Sequence, residues 1–396
     1  MAKRMATIRI NNIGPLKDTG VILLTHIMLV IGEQGTGKST FLKIVCFCRW
    51  LEKKAMLGEL KTDVNKDADG SLIAQLKEFH NLSDEYFSQE SYFEYRGEAV
   101  SIIMKDDKVR LECTEQFDKV RHNTKLSYIP AERNLLSVIP RLDDKYRSST
   151  FNSMFNSVIE FCEANEGFTR KAPLQLSFAD GMEYYHDGLN DYVRLVNHAE
   201  VPPITLQNTS SGVKAALPLN VIVQYLCDMA GKPSRRTPQM VLSNSGLGFS
   251  DDVRMNRTNI YNYPQLFIEE PEQHLYPSSQ ARLVRYIISE FSKAAERTNQ
   301  PGYVFMTTHS PYILTQLNLL LKARRAFLVN PKETLRLMPL QCIIPFNYCS
   351  AFFIDSNGCM VNMMDSKTKL VKGEYLDAVS DETEEMMNSL NNIIYA

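Results

Sequence analysis

Gly32-Glu33-Gln34-Gly35-Thr36-Gly37-Lys38-Ser39-Thr40 is the stretch that decides how this chain folds. It matches the pattern G-x-x-x-x-G-K-[ST] at every fixed position. A strand-like apolar run, Val21 to Ile31, leads into it, and a helical pattern follows. Glycines at these spacings let backbone N–H groups turn inward around phosphate oxygens. Lys38 is placed to reach β- and γ-phosphates, and the Ser39 hydroxyl to ligate Mg²⁺. Thr40 onward opens a helix whose positive end faces the anion. A chance Gly-rich turn would not need this strand–loop–helix setting; phosphate binding does.

Working outward, 396 residues with 44% apolar and 23% charged side chains describe an ordinary globular chain able to bury a large core. A net charge of −2 gives no bulk attraction to nucleic acid. The basic pieces Lys232 to Arg236 and Lys322 to Arg325 are of a size that is usually solvated surface. Eight cysteines without C-x-x-C spacing read as free thiols in a reducing compartment. Cys46 and Cys48 fall on different helix faces, which argues against a metal pair. No signal peptide or membrane-spanning run is apparent, so a cytoplasmic protein is expected.

The pattern predicts strands at Ala6 to Ile10, Val21 to Leu24 and Met28 to Ile31, with a turn at Asn11 to Pro15. A helix is expected over 38–57, and a hairpin around Lys105-Asp106-Asp107 within an otherwise mixed stretch. Further helices are expected over 150–165, Lys214 to Met229 and Ser278 to Glu296. A second hairpin turns at His186-Asp187-Gly188. Residues 231–262, rich in Gly, Pro, Ser, Asn and Arg, read as a mobile insertion. Short strands are expected at Gln265 to Ile268, at Tyr303 to Thr307 and across 325–371, with a last helix from Ser380-Asp381.

Three further segments carry chemistry. Leu266 to Pro277 reads Leu-Phe-Ile-Glu-Glu-Pro-Glu-Gln-His-Leu-Tyr-Pro. Its apolar strand delivers two carboxylates at the C-terminal end, where open α/β sheets bind ligands. Glu269 would hold Mg²⁺, and Glu270 would polarise the water attacking a γ-phosphate. Val304 to Pro311 ends another apolar strand on His309, positioned to touch the γ-phosphate or align that water. A lone strand-end histidine is more often structural; its order and spacing after Glu270 favour function. Thr209-Ser210-Ser211-Gly212-Val213-Lys214 precedes a helix and offers an anion-binding N-terminus, although alone it is an N-cap.

Together, in this order, the four segments resemble ABC-type ATPases, most closely the branch of overcoming-lysogenisation-defect nucleases and recombination and SMC-like ATPases. The resemblance runs from Ile8 to about Leu317 and is most specific over Glu269 to Pro277. It implies an α/β P-loop NTPase fold: an ABC-ATPase head with a central mixed or parallel sheet flanked by helices, an antiparallel β subdomain and a helical signature lobe. No coiled-coil arm is expected, because sustained heptads are absent and prolines interrupt the insert. One domain over 1–396 would comprise a Walker A half (1–57), an inserted lobe (58–205), a half with signature, Walker B and switch histidine (206–325), and C-terminal strands and helix (326–396).

The resemblance also implies the site. Gly32, Gln34, Gly35, Thr36, Gly37, Lys38, Ser39 and Thr40 would bind ATP. Ser210, Ser211 and Gly212 would form the signature facing the other subunit's γ-phosphate. Ser39 and Glu269 would hold Mg²⁺, and Glu270, His309 and Lys38 would be catalytic. The implied assembly is a head-to-tail homodimer, or a higher oligomer, with ATP sandwiched between subunits. A separately encoded effector, DNA or a phage component are the candidate partners, in anti-phage defence or DNA metabolism, with no role for a membrane. Gln34, Glu269, Tyr276 and Val213 depart from the commonest family residues. The Q-loop stays open: Tyr128 to Asn134, with Glu132 and Arg133, reads equally as that loop or as a strand-to-helix turn. A transport ATPase subunit, a nucleotide-gated module with little turnover and a nuclease are the competing functions. Asp355, Asp365, Asp377 and Asp381 are too scattered for a metal nuclease site.

Overall fold

The computed structural model describes residues 5–57, 59–60, 71–117, 122–138, 152–198, 200–234 and 260–373. Its centre is a six-stranded sheet. Five parallel strands lie side by side in the order Thr124–Ile129, Tyr263–Glu269, Tyr303–Thr308, Ile27–Gly32 and Cys349–Ile354, and Met360–Asn362 adds an antiparallel edge. These inner strands read as unbroken apolar runs because both faces are covered. Alternation then sorts the side chains: Ile27, Leu29 and Ile31 join one core, and Met28 and Val30 the other.

On the first face pack the helices Ser211–Met229, Pro277–Thr298 and Pro311–Val329. On the second, the helix Lys38–Met56 lies against the central sheet and under an antiparallel sheet. That sheet is built from Thr7–Ile13, Leu16–Asp18, Ile22–Leu23, Phe87–Arg96, Val100–Lys105 and Lys108–Cys113. A buried cluster ties these layers. Arg49 Nε donates to Gln265 Oε1 (2.8 Å), its guanidinium lies 4.1 Å from the Tyr303 ring centre, and Glu52 accepts from Tyr95 and Ala99 N. A third, four-stranded sheet, Leu174–Gln175, Met182–His186, Asp191–Leu195 and Ile204–Thr205, leads into the helix Ser211–Met229. No helix among the described residues is long and apolar enough to cross a membrane.

Three expectations need correction. Asn11 to Pro15 is not all turn: the strand runs through Ile13 on a bulge that puts Asn12 at φ 48°, and the reversal falls at Gly14 (φ 52°). The mixed stretch holds a helix, Ser71–His80, and a ten-residue strand, Phe87–Arg96. The first part of 325–371 is helical, not extended. Pro311–Val329 runs on past Arg325, and Pro331–Leu337 starts on an Asn330 side chain that accepts from Glu333 N. Most of the 231–262 insertion (235–259), Asp377, Asp381 and the helix expected from Ser380 lie outside the described residues. Asp355 and Asp365 accept backbone N–H bonds in their own turns, at Asn357 and Cys359 and at Lys367.

Candidate nucleotide-binding site

The parallel register aligns the functional ends. Ile31 lies opposite Thr308, and Thr307 opposite Glu269, so the loop after Gly32, His309 and Glu270 leave the sheet at one edge. Neighbouring strands are about 5 Å apart. The strand ending in Thr308 lies between the two others, so His309 emerges between the phosphate loop and the carboxylate pair.

The loop is shaped by two left-handed glycines, Gly35 at φ 78° and Gly37 at φ 105°. A Cβ on Gly37 would also stand 2.8 Å from the Leu16 side chain, so any other residue would be both strained and crowded there. Gly37 caps the helix Lys38–Met56 without a side chain, which leaves first-turn N–H groups directed at the loop. Lys38 Nζ bridges the carbonyls of Gly32 (2.8 Å) and Glu33 (2.6 Å). Burial pulls its pKa below the usual lysine value, and Glu270, Glu272 and Glu33 oppose that pull. Thr36 Oγ1 donates to Glu33 O, while Gln34 and Gly35 face solvent and Thr40 is buried.

Ser39 Oγ donates to Glu269 Oε2 at 3.0 Å. Tyr128 donates its hydroxyl to the other oxygen, Oε1; burial first, and then the charge of Glu269, drives the phenol pKa upward. A hydroxyl and a carboxylate side by side are hard oxygen donors. They suit Mg²⁺, which takes one or two protein ligands and completes its shell with phosphate and water. The site therefore fits the cation, with Ser39 and Glu269 as its holders.

Glu270 adopts φ 44°, rare for a residue with a Cβ. Its N–H donates to Thr307 O at 3.0 Å, which fixes that turn and sends the side chain out of the strand. His309 Nδ1 lies 3.7 Å from Glu270 Oε1 and 3.4 Å from Glu272 Oε1, and the ring is half exposed. Glu272 is buried and accepts from Thr308 Oγ1 (2.7 Å) and His309 N (3.0 Å). It thus fixes the backbone that carries the histidine. In the sequence, Glu272 is marked only by its place within the Glu-Glu-Pro-Glu run.

Arg133 is fully buried. Nε donates to Ala215 O (3.0 Å), one terminal nitrogen to Glu269 O (2.7 Å) and Pro130 O (3.3 Å), and the other to Glu270 O (2.6 Å). Burial lowers its pKa to about 10 against the pull of Glu272, Glu269 and Glu270, so it remains a cation at pH 7. Tyr128 to Asn134 thus forms a strand-to-helix turn braced by Arg133, with Glu132 exposed to solvent.

Ser210 and Ser211 are exposed at the start of the helix Ser211–Met229, and Ser210 Oγ accepts from Val213 N. Among the described residues no side-chain hydrogen bond links them to Gly32–Thr40. They belong instead beside the carboxylate segment, since a Cβ on Gly212 would stand 2.8 Å from His274 O. Val213 is buried in the core and offers nothing to the surface. Tyr276, by contrast, is 76% exposed at the N-cap of the helix Pro277–Thr298.

Comparison with known families gives a match to the AAA ATPase domain over residues 52–314, two thirds of the chain. The match includes Glu269, Glu270, His309 and Ser210 to Gly212, and begins after the glycine loop. Among solved structures, the SMC head domain from Thermotoga maritima aligns at a TM-score of 0.38 and 12% identity, covering 79% of this chain and 92% of that one. An Smc head bound to the C-winged helix domain of ScpA aligns at 0.40 and 11%, covering 91% and 98%. An Smc head with an extended coiled coil, bound to the C-terminal domain of ScpA derived from Pyrococcus furiosus, aligns at 0.38 and 11%, covering 97% and 100%. Comparison with curated proteins gives no significant match.

Proposed function

The chain belongs to the AAA ATPase domain family, and on that premise we propose that it binds and hydrolyses ATP with Mg²⁺ in a composite site formed by two copies. The observation that carries the reading is Ser39 Oγ at 3.0 Å from Glu269 Oε2, with Glu270 and His309 on the adjoining strand ends. Loop N–H groups and the helix terminus receive the phosphates. Lys38 exchanges its two carbonyl partners for β- and γ-phosphate oxygens. When bound, Mg²⁺ neutralises charge on the β- and γ-oxygens. Glu270 accepts the proton of the attacking water, and His309, its backbone held by Glu272, fixes that water or the γ-phosphate.

The exposed Ser210 and Ser211 support the two-copy site. Their hydroxyls and helix N-terminus suit a γ-phosphate held by another subunit, in head-to-tail pairing. Coupling the nucleotide state to a separate effector or DNA, in anti-phage defence or DNA metabolism, rests on the resemblance of Glu269 to Pro277 and is fold-level analogy.

The test is ATP turnover per subunit as protein concentration rises. The rate should climb to a plateau, and Lys38→Ala should abolish it at every concentration. A per-subunit rate independent of concentration would exclude the shared site; no hydrolysis under any condition would leave a nucleotide-gated binding module. Gly212→Ala should lower turnover at least on the order of tenfold and also lower the melting temperature, because the added methyl would stand 2.8 Å from the His274 carbonyl and must displace that backbone turn. Wild-type turnover in that variant would separate this packing from catalysis.

A further inference from the structure

A cavity of about 200 Å³ lies between the helices Lys38–Met56, Ser71–His80 and Ser153–Asn165 and the strand Thr124–Ile129. Cys46, Phe47, Trp50 and Lys53 line it from one face of the first helix. At 1.5 Å per residue they stand about 12 to 22 Å along the axis from Lys38, well beyond the phosphate loop.

Two of its lining side chains have no hydrogen bond to explain their burial. Gln75 is 7% exposed and His80 2% exposed. Neither the carboxamide oxygen and nitrogen of Gln75 nor the two ring nitrogens of His80 have a hydrogen-bond partner among the described residues. Buried polar groups are ordinarily paired, so two orphans facing one cavity call for an occupant. Burial, helped by Lys43, drives the His80 pKa well below the usual histidine value and leaves a neutral ring with one donor and one acceptor.

Among the charged groups of the wall, Lys125 pairs with Glu160 and Glu163, and Glu78 is exposed to solvent. Lys125 lies 3.8 Å from both Glu160 and Glu163 and 5.3 Å from the Tyr225 ring centre, and Glu160 also accepts from Ser127. Lys53 lies 6.0 Å from the Tyr261 ring centre. The unspent hydrogen-bonding capacity of the buried side chains Gln75 and His80 is neutral and two-sided. The apolar walls are aromatic: Trp50 stacks near Phe47 (6.0 Å, 23°), and Tyr128 meets His80 edge-on at 4.8 Å. Such walls take a flat ring, and a carboxamide pairs with an edge that offers a donor beside an acceptor.

We propose that this cavity binds a purine base, stacked on its aromatic walls and read on its edge by Gln75 and His80. The site is separate from the phosphate loop and holds whether or not the chain hydrolyses ATP. Tyr128 gives it a route to the catalytic edge, since the same side chain that walls the cavity donates to Glu269. That link, unlike the binding itself, rests on the proposed ATPase reading.

Trp50 is the only tryptophan in the chain, so its emission reports the cavity directly. The probes are adenosine and guanosine, which lack the phosphates that the loop would hold. At least one should change Trp50 emission saturably, in the wild type and in Lys38→Ala alike. Gln75→Leu should weaken that binding about tenfold or more while melting at or above the wild-type temperature, because it removes an unpaired buried amide. His80→Phe should weaken binding as well. No saturable response to either nucleoside, unchanged affinity in Gln75→Leu, or loss of the response in Lys38→Ala would each overturn the site. An ordered water filling the cavity would give the first of these results. For the link, the bound nucleoside should alter ATP turnover in the wild type and not in Tyr128→Phe; turnover indifferent to saturating nucleoside would overturn the link, with binding judged by fluorescence alone.

Discussion

Glu270→Gln should reduce ATP turnover by about 10² to 10⁴-fold, the range expected for removing a positioned general base. ATP binding should survive. The amide keeps the size of the carboxylate, and the N–H bond from residue 270 to Thr307 O, which sets the φ of 44°, does not involve the side chain. Lys38, Ser39 and Glu269 are left intact, so the phosphates and the cation keep their ligands. If the composite site is right, the variant should accumulate as an ATP-stabilised dimer, visible by light scattering as a mass doubling with ATP and reversal on its removal. Turnover, bound nucleotide and mass measured on the same sample separate the possible outcomes. Wild-type turnover would remove Glu270 as the base and shift attention to His309, 3.7 Å away. Lost turnover together with lost ATP binding would make Glu270 part of the binding apparatus instead.

What the sequence disclosed and what it hid divide along physical lines. The glycine loop was legible because its glycines are needed locally: at φ 105° Gly37 would strain any side chain, whatever surrounds it. The inner strands were legible because a strand covered on both faces must be apolar throughout, as Leu266 to Ile268 and Val304 to Met306 are. The helix Ser71–His80 and the strand Phe87–Arg96 were missed. The strand leaves Ser88 to Glu90 exposed, and its buried positions appear only from Ser91 onward. Phe327-Leu328-Val329 reads as strand by composition, yet it ends a helix, and Leu328 and Val329 lie open at 68% and 87% exposure. Tertiary continuation of a nineteen-residue helix outweighed local propensity there. The braces of the site were least legible. Tyr128 and Glu269 are 141 residues apart, Arg133 and Glu270 137 apart, and no local pattern marks such pairs.

Arg133→Met should cost on the order of 3 kcal/mol of stability, the scale seen when one partner of a buried charged network is removed. The guanidinium serves carbonyls from four residues: Pro130 in its own turn, Ala215 in the helix Ser211–Met229, and Glu269 and Glu270 at the strand end. Methionine fills much of the volume and satisfies none of them. The carbonyls that lose the guanidinium pay part of their desolvation cost, less so Glu270 O, which also accepts from Gln273 N at 3.2 Å, and these costs overlap because the groups relax together. The loss should appear as a lower urea midpoint with an unchanged slope. Turnover should fall further than stability explains, because two of the four carbonyls belong to the proposed carboxylate pair, Glu269 and Glu270, and their bonds to the guanidinium brace Glu270 in its uncommon backbone conformation. A core variant such as Ile102→Ala, in the antiparallel sheet and outside the site, supplies the comparison at similar stability loss. Arg133→Lys separates charge from shape. A single ammonium keeps the charge but cannot span Ala215 and Glu270 as a planar fork does, so lysine should not restore turnover. Full rescue by lysine would mean that the positive charge, and not the bracing geometry, is what the carboxylate pair requires.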